Sequence, residues 1–196
     1  MKIEQSQLIK ELRELTHSAK IQLAEFQNYT PEQLNFKASA SEWSILECIE
    51  HLCLYGKFYL PEIEQQLSRP SKGAAKHFKS GLLGNFFVNT IKASNTREIK
   101  ATKEMDTTGS KLSVSSINQF IKQLDWLDTL LVHSQDKDLN RIKTAISLSK
   151  MIKLRLGDTL RFVVYHNERH ILQAKRIKLG KHRQAVWFLI PFSDSH

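Results

Sequence analysis

The sequence predicts an all-α fold, a four-helix bundle with a long crossover between its second and third helices. Four stretches repeat apolar residues at intervals of three and four, the spacing that places them on one face of a helix. These stretches are residues 4–27, 44–68, 113–133 and 158–179. Residues 69–112 have no such period and contain four glycines. A connection of this length fits a chain that crosses along a bundle.

The first helix, over residues 4–27, is predicted from a single apolar stripe, which consists of Leu8, Leu12, Leu15, Ala19, Leu23 and Phe26. Pro31 ends this helix, because proline disfavours helical backbone in the residue before it. Thr30 and Pro31 also predict a short helical turn at the start of the connection that follows.

The second helix, over residues 44–68, begins with a capping box. Ser44 and Glu47 have the required spacing, so the serine side chain and the glutamate side chain can each accept from the other's backbone amide. Trp43 and Cys48 are placed for the hydrophobic staple that often accompanies this box. Pro61 lies inside the helix, where it is expected to kink or break it.

The crossover contains one apolar island, residues 82–88, which is expected to cover the bundle or line a pocket entrance. The third helix follows, and Ser113, Ser115 and Ser116 are alternative residues for its cap. Residues 136–148 are predicted to be a polar connector, and residues 149–156 a short strand or turn.

The fourth helix is predicted over residues 158–179. Asp158 is a natural N-cap residue, and Gly180 stands where a glycine often ends a helix. The apolar, β-leaning tail of residues 185–192 is expected to pack back on the bundle or to form a dimer contact.

The length of 196 residues and the apolar content of 41% predict one domain over residues 1–196. The chain has no apolar run of membrane-spanning length and no signal-peptide pattern at its start. Cys48 and Cys53 lie five residues apart, about 140° around a helix, so a disulfide is not expected. A cytoplasmic location fits this cysteine usage.

The net charge of +9 is concentrated in residues 137–183, which hold 13 Lys and Arg against 3 Asp and Glu. Lys143, Lys150, Lys153 and Arg155 are expected to lie on a basic surface. That surface would attract an anionic ligand or, alternatively, be an ordinary solvated face. The sequence has no nucleic-acid module, so nucleic acid is not the expected partner.

His166 and His170 are four residues apart within the predicted fourth helix. Residues at this spacing share one face, so both imidazoles can reach one transition metal. A zinc-peptidase helix would need the glutamate directly after the first histidine. The carboxylate here is Glu168, about 200° around the helix from His166. The pair therefore indicates a metal site of another kind, with a third ligand from elsewhere.

Two segments together resemble those of the DinB/YfiT-like superfamily, which is unrelated to the DNA polymerase of similar name. The first runs from Trp43 through Ser44 and Glu47 to His51, and the second contains Tyr165, His166, His170, Gln173 and Arg176. The order and lengths of the predicted helices resemble the family over nearly the whole chain.

This resemblance implies a divalent metal, Zn²⁺ or Ni²⁺, held by His51, His166 and His170. It also implies a homodimer and a small-molecule substrate, either anionic or thiol-containing. Members of the family transfer groups with low-molecular-weight thiols, and others are classed as hydrolases. A thiol-dependent transferase is therefore the first expectation and a metal-dependent hydrolase the alternative.

A third hypothesis is a non-enzymatic basic binding protein in which the metal is structural or absent. The sequence identifies no general base, because Glu47 is already used by the capping box; Tyr55 and Tyr165 are only possible polar groups of a pocket. Five other histidines occupy polar or connecting stretches and are expected not to be ligands: His17, His77, His133, His182 and His196. Cys48 and Cys53 are expected to be core residues rather than nucleophiles.

Overall fold

The structure is a computed structural model that describes residues 1–94 and 100–187. The described helices are α1 (Gln5–Phe26), α2 (Pro31–Leu34), α3 (Ile45–Leu67), α4 (Leu82–Ile91), α5 (Ser115–His133) and α6 (Leu156–Trp187). The four long helices α1, α3, α5 and α6 form the predicted bundle, and α4 lies within the crossover between α3 and α5. The all-α fold class is therefore confirmed.

The arrangement of the long helices follows from their apolar stripes. α1 and α3 each pack against both α5 and α6, so α1 and α3 lie diagonally across the bundle. The core between them is aliphatic and aromatic, with residues from every long helix, among them Leu12, Phe26, Ile49, Leu52, Phe120, Leu127, Leu160 and Val164. As a result, α3 is a direct neighbour of α6.

The predicted capping box at Ser44 is confirmed, and the short helical turn predicted at Thr30 is α2, which also begins with a capping box. At α3, the Glu47 amide donates to Ser44 Oγ at 3.1 Å, and the Ser44 amide donates to Glu47 Oε2 at 2.6 Å. Pro61 does not break α3, which continues to Leu67. Pro61 is solvent-exposed, so water can hydrate the carbonyl that loses its helical partner.

Two end signals of the fourth helix were interpreted wrongly. α6 begins at Leu156, so Asp158 lies inside its first turn rather than at the N-cap. Gly180 does not end the helix, which continues to Trp187. A glycine in a helix interior costs only about 1 kcal/mol relative to alanine, so it does not by itself stop a helix. Residues 185–187 of the predicted tail are helical, and residues 188–192 lie outside the described residues.

Asp158 instead joins the crossover to α6. Its Oδ2 accepts from the Gly81 amide at 2.8 Å, and its Oδ1 accepts from Arg161 Nη1 at 3.2 Å and from Ser80 Oγ. Gly84 packs on the same carboxylate so closely that a Cβ there would lie 2.3 Å from Asp158 Cγ. The apolar island predicted to cover the bundle is α4, and it packs on α6 in this way.

Two small antiparallel sheets complete the described fold. β1 (Lys2–Glu4) pairs with β2 (His77–Lys79), and β3 (Lys143–Ile146) pairs with β4 (Ser149–Arg155). The predicted strand near residues 149–156 is confirmed as β4. The segment before it, predicted to be a connector, contains β3, and the backbone hydrogen bonds of β4 are made with this strand.

Two smaller predictions concern helix capping and the cysteines. The N-cap residue of α5 is Val114, and no side chain caps it; Ser113 Oγ accepts from the Ser115 amide and shares a hydrogen bond with Ser115 Oγ. Cys48 and Cys53 are free and buried, and burial raises the pKa of both thiols, that of Cys53 to about 12. Within the described residues, no helix combines the length and apolar character needed to cross a membrane.

Candidate metal centre

Three histidines meet where α3 packs beside α6. His166 and His170 lie on the same face of α6, and His51 approaches them from the second turn of α3. One ring nitrogen from each of the three side chains lies within 4.8 Å of the others. The Nε2 atoms of His51 and His166 are 3.3 Å apart. The structure thus brings together the three residues that the family resemblance selected.

Hydrogen bonds on the outer side of the cluster fix two of the rings. His51 Nδ1 lies 2.6 Å from the Met105 carbonyl oxygen, which can only accept, so this nitrogen carries the proton. His170 Nδ1 lies 2.9 Å from Gln173 Oε1 and donates to it. In both residues the remaining lone pair is on Nε2, directed to the inner side of the cluster. Such outer partners commonly fix the orientation of metal-binding histidines.

All three imidazoles are held in their neutral form. Burial lowers the pKa of His166 well below its ordinary value, and the neighbouring histidines lower it further. Burial and His51 lower the pKa of His170 to about 3. Burial also lowers the pKa of His51, against the opposing effect of the Met105 carbonyl. Neutral imidazole is the form that binds a metal.

One pair of nitrogens in the cluster already has the spacing of two ligands on a divalent metal, and the imidazole donors suit such an ion. Two nitrogens bound to one tetrahedral Zn²⁺ at about 2.0–2.1 Å stand roughly 3.3–3.4 Å apart. The Nε2 separation of His51 and His166 agrees with this value. His51 and His166 are only 2% and 5% exposed, so water satisfies their inner lone pairs poorly.

Aromatic side chains form the walls around the histidines. The Trp43 ring centroid lies 4.7 Å from that of His51 and 5.7 Å from that of His170. Tyr55 lies 4.2 Å from His166, and Phe162 stacks on His166 at 5.5 Å. These rings restrict the directions from which a small molecule could approach, and Tyr55 is one of the two tyrosines that the sequence offered as pocket residues.

The end of the crossover is fastened over the start of α3. We call residues 102–109, which include a 3-10 turn at Lys103–Met105, the crossover strap. Besides the Met105 carbonyl on His51, Thr107 Oγ1 donates to the Glu47 carbonyl at 2.8 Å. Trp43 Nε1 donates to Thr108 Oγ1 at 2.8 Å. These residues are far from His51 along the chain and carry no motif, so the sequence gives no signal for their place beside it.

Glu47 is one turn before His51, but its carboxylate is fully used. Oε2 accepts from the Ser44 amide, while Oε1 accepts from Lys37 Nζ at 2.9 Å and from the Gly109 amide at 2.5 Å. Burial alone would raise the pKa of Glu47, yet these donors outweigh it and lower the pKa. The interpretation of Glu47 as a capping residue rather than a general base is supported.

The other histidines do not join the cluster. His17 and His133 are exposed, and His77 lies in β2. The side chain of His182 lies outside the described residues, as does His196. Among the described side chains, His51, His166 and His170 form the one group of three or more histidines, cysteines or acids whose ligand atoms lie close enough to share a metal ion.

The basic stretch of residues 137–183 is only partly a surface. Lys143 and Lys153 are exposed and Arg155 is partly exposed, whereas Arg161 is fully buried beside Asp158. The side chain of Lys150 lies outside the described residues. A groove of about 960 Å³ lies elsewhere on the described surface, between α1 and α5. Ion pairs such as Arg13–Asp128 cross that groove, and the three histidines do not line it.

Comparison with known proteins agrees with this arrangement. A family model described as the DinB superfamily matches residues 14–174. The chain belongs to the DinB superfamily. Its fold is similar to that of YfiT from Bacillus subtilis, with a TM-score of 0.54 and 15% sequence identity over 91% of this chain and 87% of that one. YfiT is described as a probable metal-dependent hydrolase with an unusual four-helix bundle topology.

At this identity the likeness to YfiT shows the fold of a DinB-superfamily protein and not its reaction. Comparison with curated proteins gives no significant match. The membership and the three-histidine cluster together suggest a divalent metal, without specifying which one.

We predict that Glu47→Gln destabilises the fold by about 1–3 kcal/mol at neutral pH, since a buried charge-assisted hydrogen-bond network is weakened. The lowered pKa means that this stability is present above the unfolded value of about 4.5 and is lost as the pH falls through the folded value. Urea unfolding of both proteins from neutral to acidic pH measures the difference.

The control for this experiment is Glu14→Gln, which alters an exposed carboxylate on α1. The difference between the parent protein and Glu47→Gln should stay constant at neutral pH and shrink only below about 4.5. A difference that persists unchanged at acidic pH would show that the Glu47 charge does not stabilise the fold.

Proposed function

We propose that this protein is a divalent-metal-dependent enzyme with His51, His166 and His170 as its metal ligands. The observation that carries the proposal is the mismatch of donors and acceptors inside the cluster. His51 and His170 use their N–H groups outward, on Met105 and Gln173, so both offer lone pairs inward. His166 can supply at most one proton to this inner side. A cation satisfies all three lone pairs, whereas a single hydrogen bond between His51 and His166 satisfies only one.

The choice of metal follows from the ligand type. Three neutral imidazoles suit Zn²⁺ and Ni²⁺ better than Mg²⁺ or Ca²⁺, which prefer oxygen ligands. We therefore propose Zn²⁺ or Ni²⁺ as the native metal. When bound, such an ion supplies Lewis acidity, which lowers the pKa of water to about 7 or ionises a thiol.

The surrounding residues would position the ligands and shape the approach to them. Met105 and Gln173 orient His51 and His170, so these rings need little rearrangement on metal binding. Trp43 and Tyr55 would exclude bulk water from two sides. Because the Glu47 carboxylate is occupied by three donors, it would stabilise the start of α3 and take no part in proton transfer.

Two reaction classes are compatible with this site. Transfer that uses a low-molecular-weight thiol is our first proposal, supported by the resemblance of the histidine segments to the family. Hydrolysis is the second, supported by the description of YfiT as a probable metal-dependent hydrolase. Both would act on a small molecule, which we propose to be anionic or thiol-containing, as the family resemblance implies.

We expect alanine at His51, His166 or His170 to lower metal affinity by more than about a hundredfold, because loss of even an outer partner costs 10–100-fold. His17→Ala, an exposed histidine on α1, is the matched control and should bind metal like the parent. Titration calorimetry with Zn²⁺ and with Ni²⁺ on protein made without an affinity tag measures the effect. Parent-like affinity in His51→Ala would refute the three-histidine site.

The reaction class can be separated with two assays on the metal-loaded protein. We expect conjugation of a simple thiol to a nitro-substituted aryl chloride, with activity lost in His170→Ala together with the metal. Metal-dependent cleavage of a nitrophenyl ester without any thiol, and no conjugation, would assign hydrolysis instead. Stoichiometric metal with neither activity across broad thiol and ester panels would favour the structural-metal hypothesis.

A further inference from the structure

One surface of the molecule combines exposed apolar side chains with cations and is not used by the metal centre. Its apolar part on α4 consists of Leu82, Leu83 and Phe86, and on β4 of Met151. Its cations are Lys143, Lys153 and Arg155, on the hairpin of β3 and β4. We call these seven residues the α4–hairpin surface.

The apolar side chains of this surface stand almost free of the protein. Leu82 is 96% exposed, Met151 92% and Phe86 63%. Leu82 and Phe86 are four residues apart, so they share the outer face of α4. The opposite face packs on α6 through Gly84 and Val88. α4 has no charged residue in its ten positions, which is unusual for a helix with an exposed face.

One face of β4 carries one apolar residue followed by two basic ones. Met151, Lys153 and Arg155 lie at every second position of the strand, so their side chains point to the same side of β4. Lys143 lies directly opposite Arg155 in the register and therefore faces the same way. From Met151 to Arg155 this row extends for about 13 Å.

Arg155 connects the two parts of the surface. Its Nη1 donates to the Lys79 carbonyl at 2.5 Å, and a Cβ on Gly81 would lie 3.7 Å from its Nε. Gly81 is the residue before α4, so the base of the hairpin adjoins the start of that helix.

The cations are not neutralised by neighbouring acids. Among the described residues, no ion pair involves Lys143, Lys153 or Arg155. Asp158 is buried against Arg161 and Ser80. Glu62 of α3 reaches the hairpin only to accept from the Ala145 amide.

We propose that the α4–hairpin surface docks on an anionic phospholipid membrane. Leu82, Phe86 and Met151 would insert among the acyl chains near the headgroups, while Lys143, Lys153 and Arg155 would contact the lipid phosphates. This combination of protruding apolar side chains and flanking cations is what peripheral membrane binding requires. The proposal does not depend on the metal site or its reaction.

A lipid surface fits these side chains better than a nucleic acid. The two most exposed apolar side chains of this surface, Leu82 and Met151, have no ring on which a base could stack. Binding to a nucleic acid would use the cations and leave these apolar side chains in water. A membrane uses both kinds of side chain, since neither a few apolar groups nor a few charges alone gives stable binding.

Co-sedimentation with phospholipid vesicles tests the proposal. The full chain should bind vesicles of phosphatidylcholine mixed with phosphatidylglycerol, bind pure phosphatidylcholine far less, and be released by salt. Leu82→Asp and Phe86→Asp should each weaken binding by about tenfold or more. Lys153→Glu should weaken binding to the mixed vesicles by about fivefold or more and leave the weak binding to neutral ones unchanged.

Ile21→Asp and Lys10→Glu are the matched controls, because both alter exposed residues of α1 outside this surface. They should bind vesicles like the parent. The proposal is overturned if Leu82→Asp and Phe86→Asp also bind like the parent. It is equally overturned if the protein ignores mixed vesicles but forms a dimer that Phe86→Asp dissociates, or binds RNA through Lys153.

Discussion

The packing of α3 on α6 is the contact on which both the core and the candidate metal centre depend. The same pair of faces buries Leu52 and Val164 and turns His51 toward His166. The histidines therefore enter the interior as part of a helix–helix interface and not on a mobile loop. Their low pKa values follow directly, since burial and mutual proximity both disfavour the charged form.

The crossover supports this interface at two places. At its beginning, Asp158 binds Ser80 and Gly81 to α6; at its end, the crossover strap binds Glu47 and His51 on α3 and Trp43 just before that helix. A long connection without a helical period thus acts as a brace across the two helices that carry the histidines. It also presents α4 with one face on the bundle and one face outward. The same segment thus supports the proposed metal site at one end and contributes α4 to the proposed membrane surface.

Much of the fold could be predicted from the sequence because the apolar period of each long helix is strong. The α3 start was clear from Ser44 and Glu47, since a capping box is a local signal. The predicted ends of the fourth helix were wrong for two reasons. Asp158 can lie inside the first turn because Ser80, Gly81 and Arg161 bind its carboxylate. Gly180 can lie inside the helix because a glycine there costs only about 1 kcal/mol. The hydrogen bond from His51 to the Met105 carbonyl could not be predicted from the sequence, because any residue type can supply a backbone carbonyl. The position of His51 came from family resemblance, as helix spacing alone indicated only His166 and His170.

The central claim is that one divalent ion is shared by three imidazoles. X-ray absorption spectroscopy at the edge of the metal found by elemental analysis, on protein purified without an affinity tag, tests it most directly. The account predicts one equivalent of Zn²⁺ or Ni²⁺ whose first shell contains three imidazole nitrogens; for Zn²⁺ these lie at about 2.0–2.1 Å. A first shell with sulfur, with oxygen only, or with fewer than three imidazoles would contradict it.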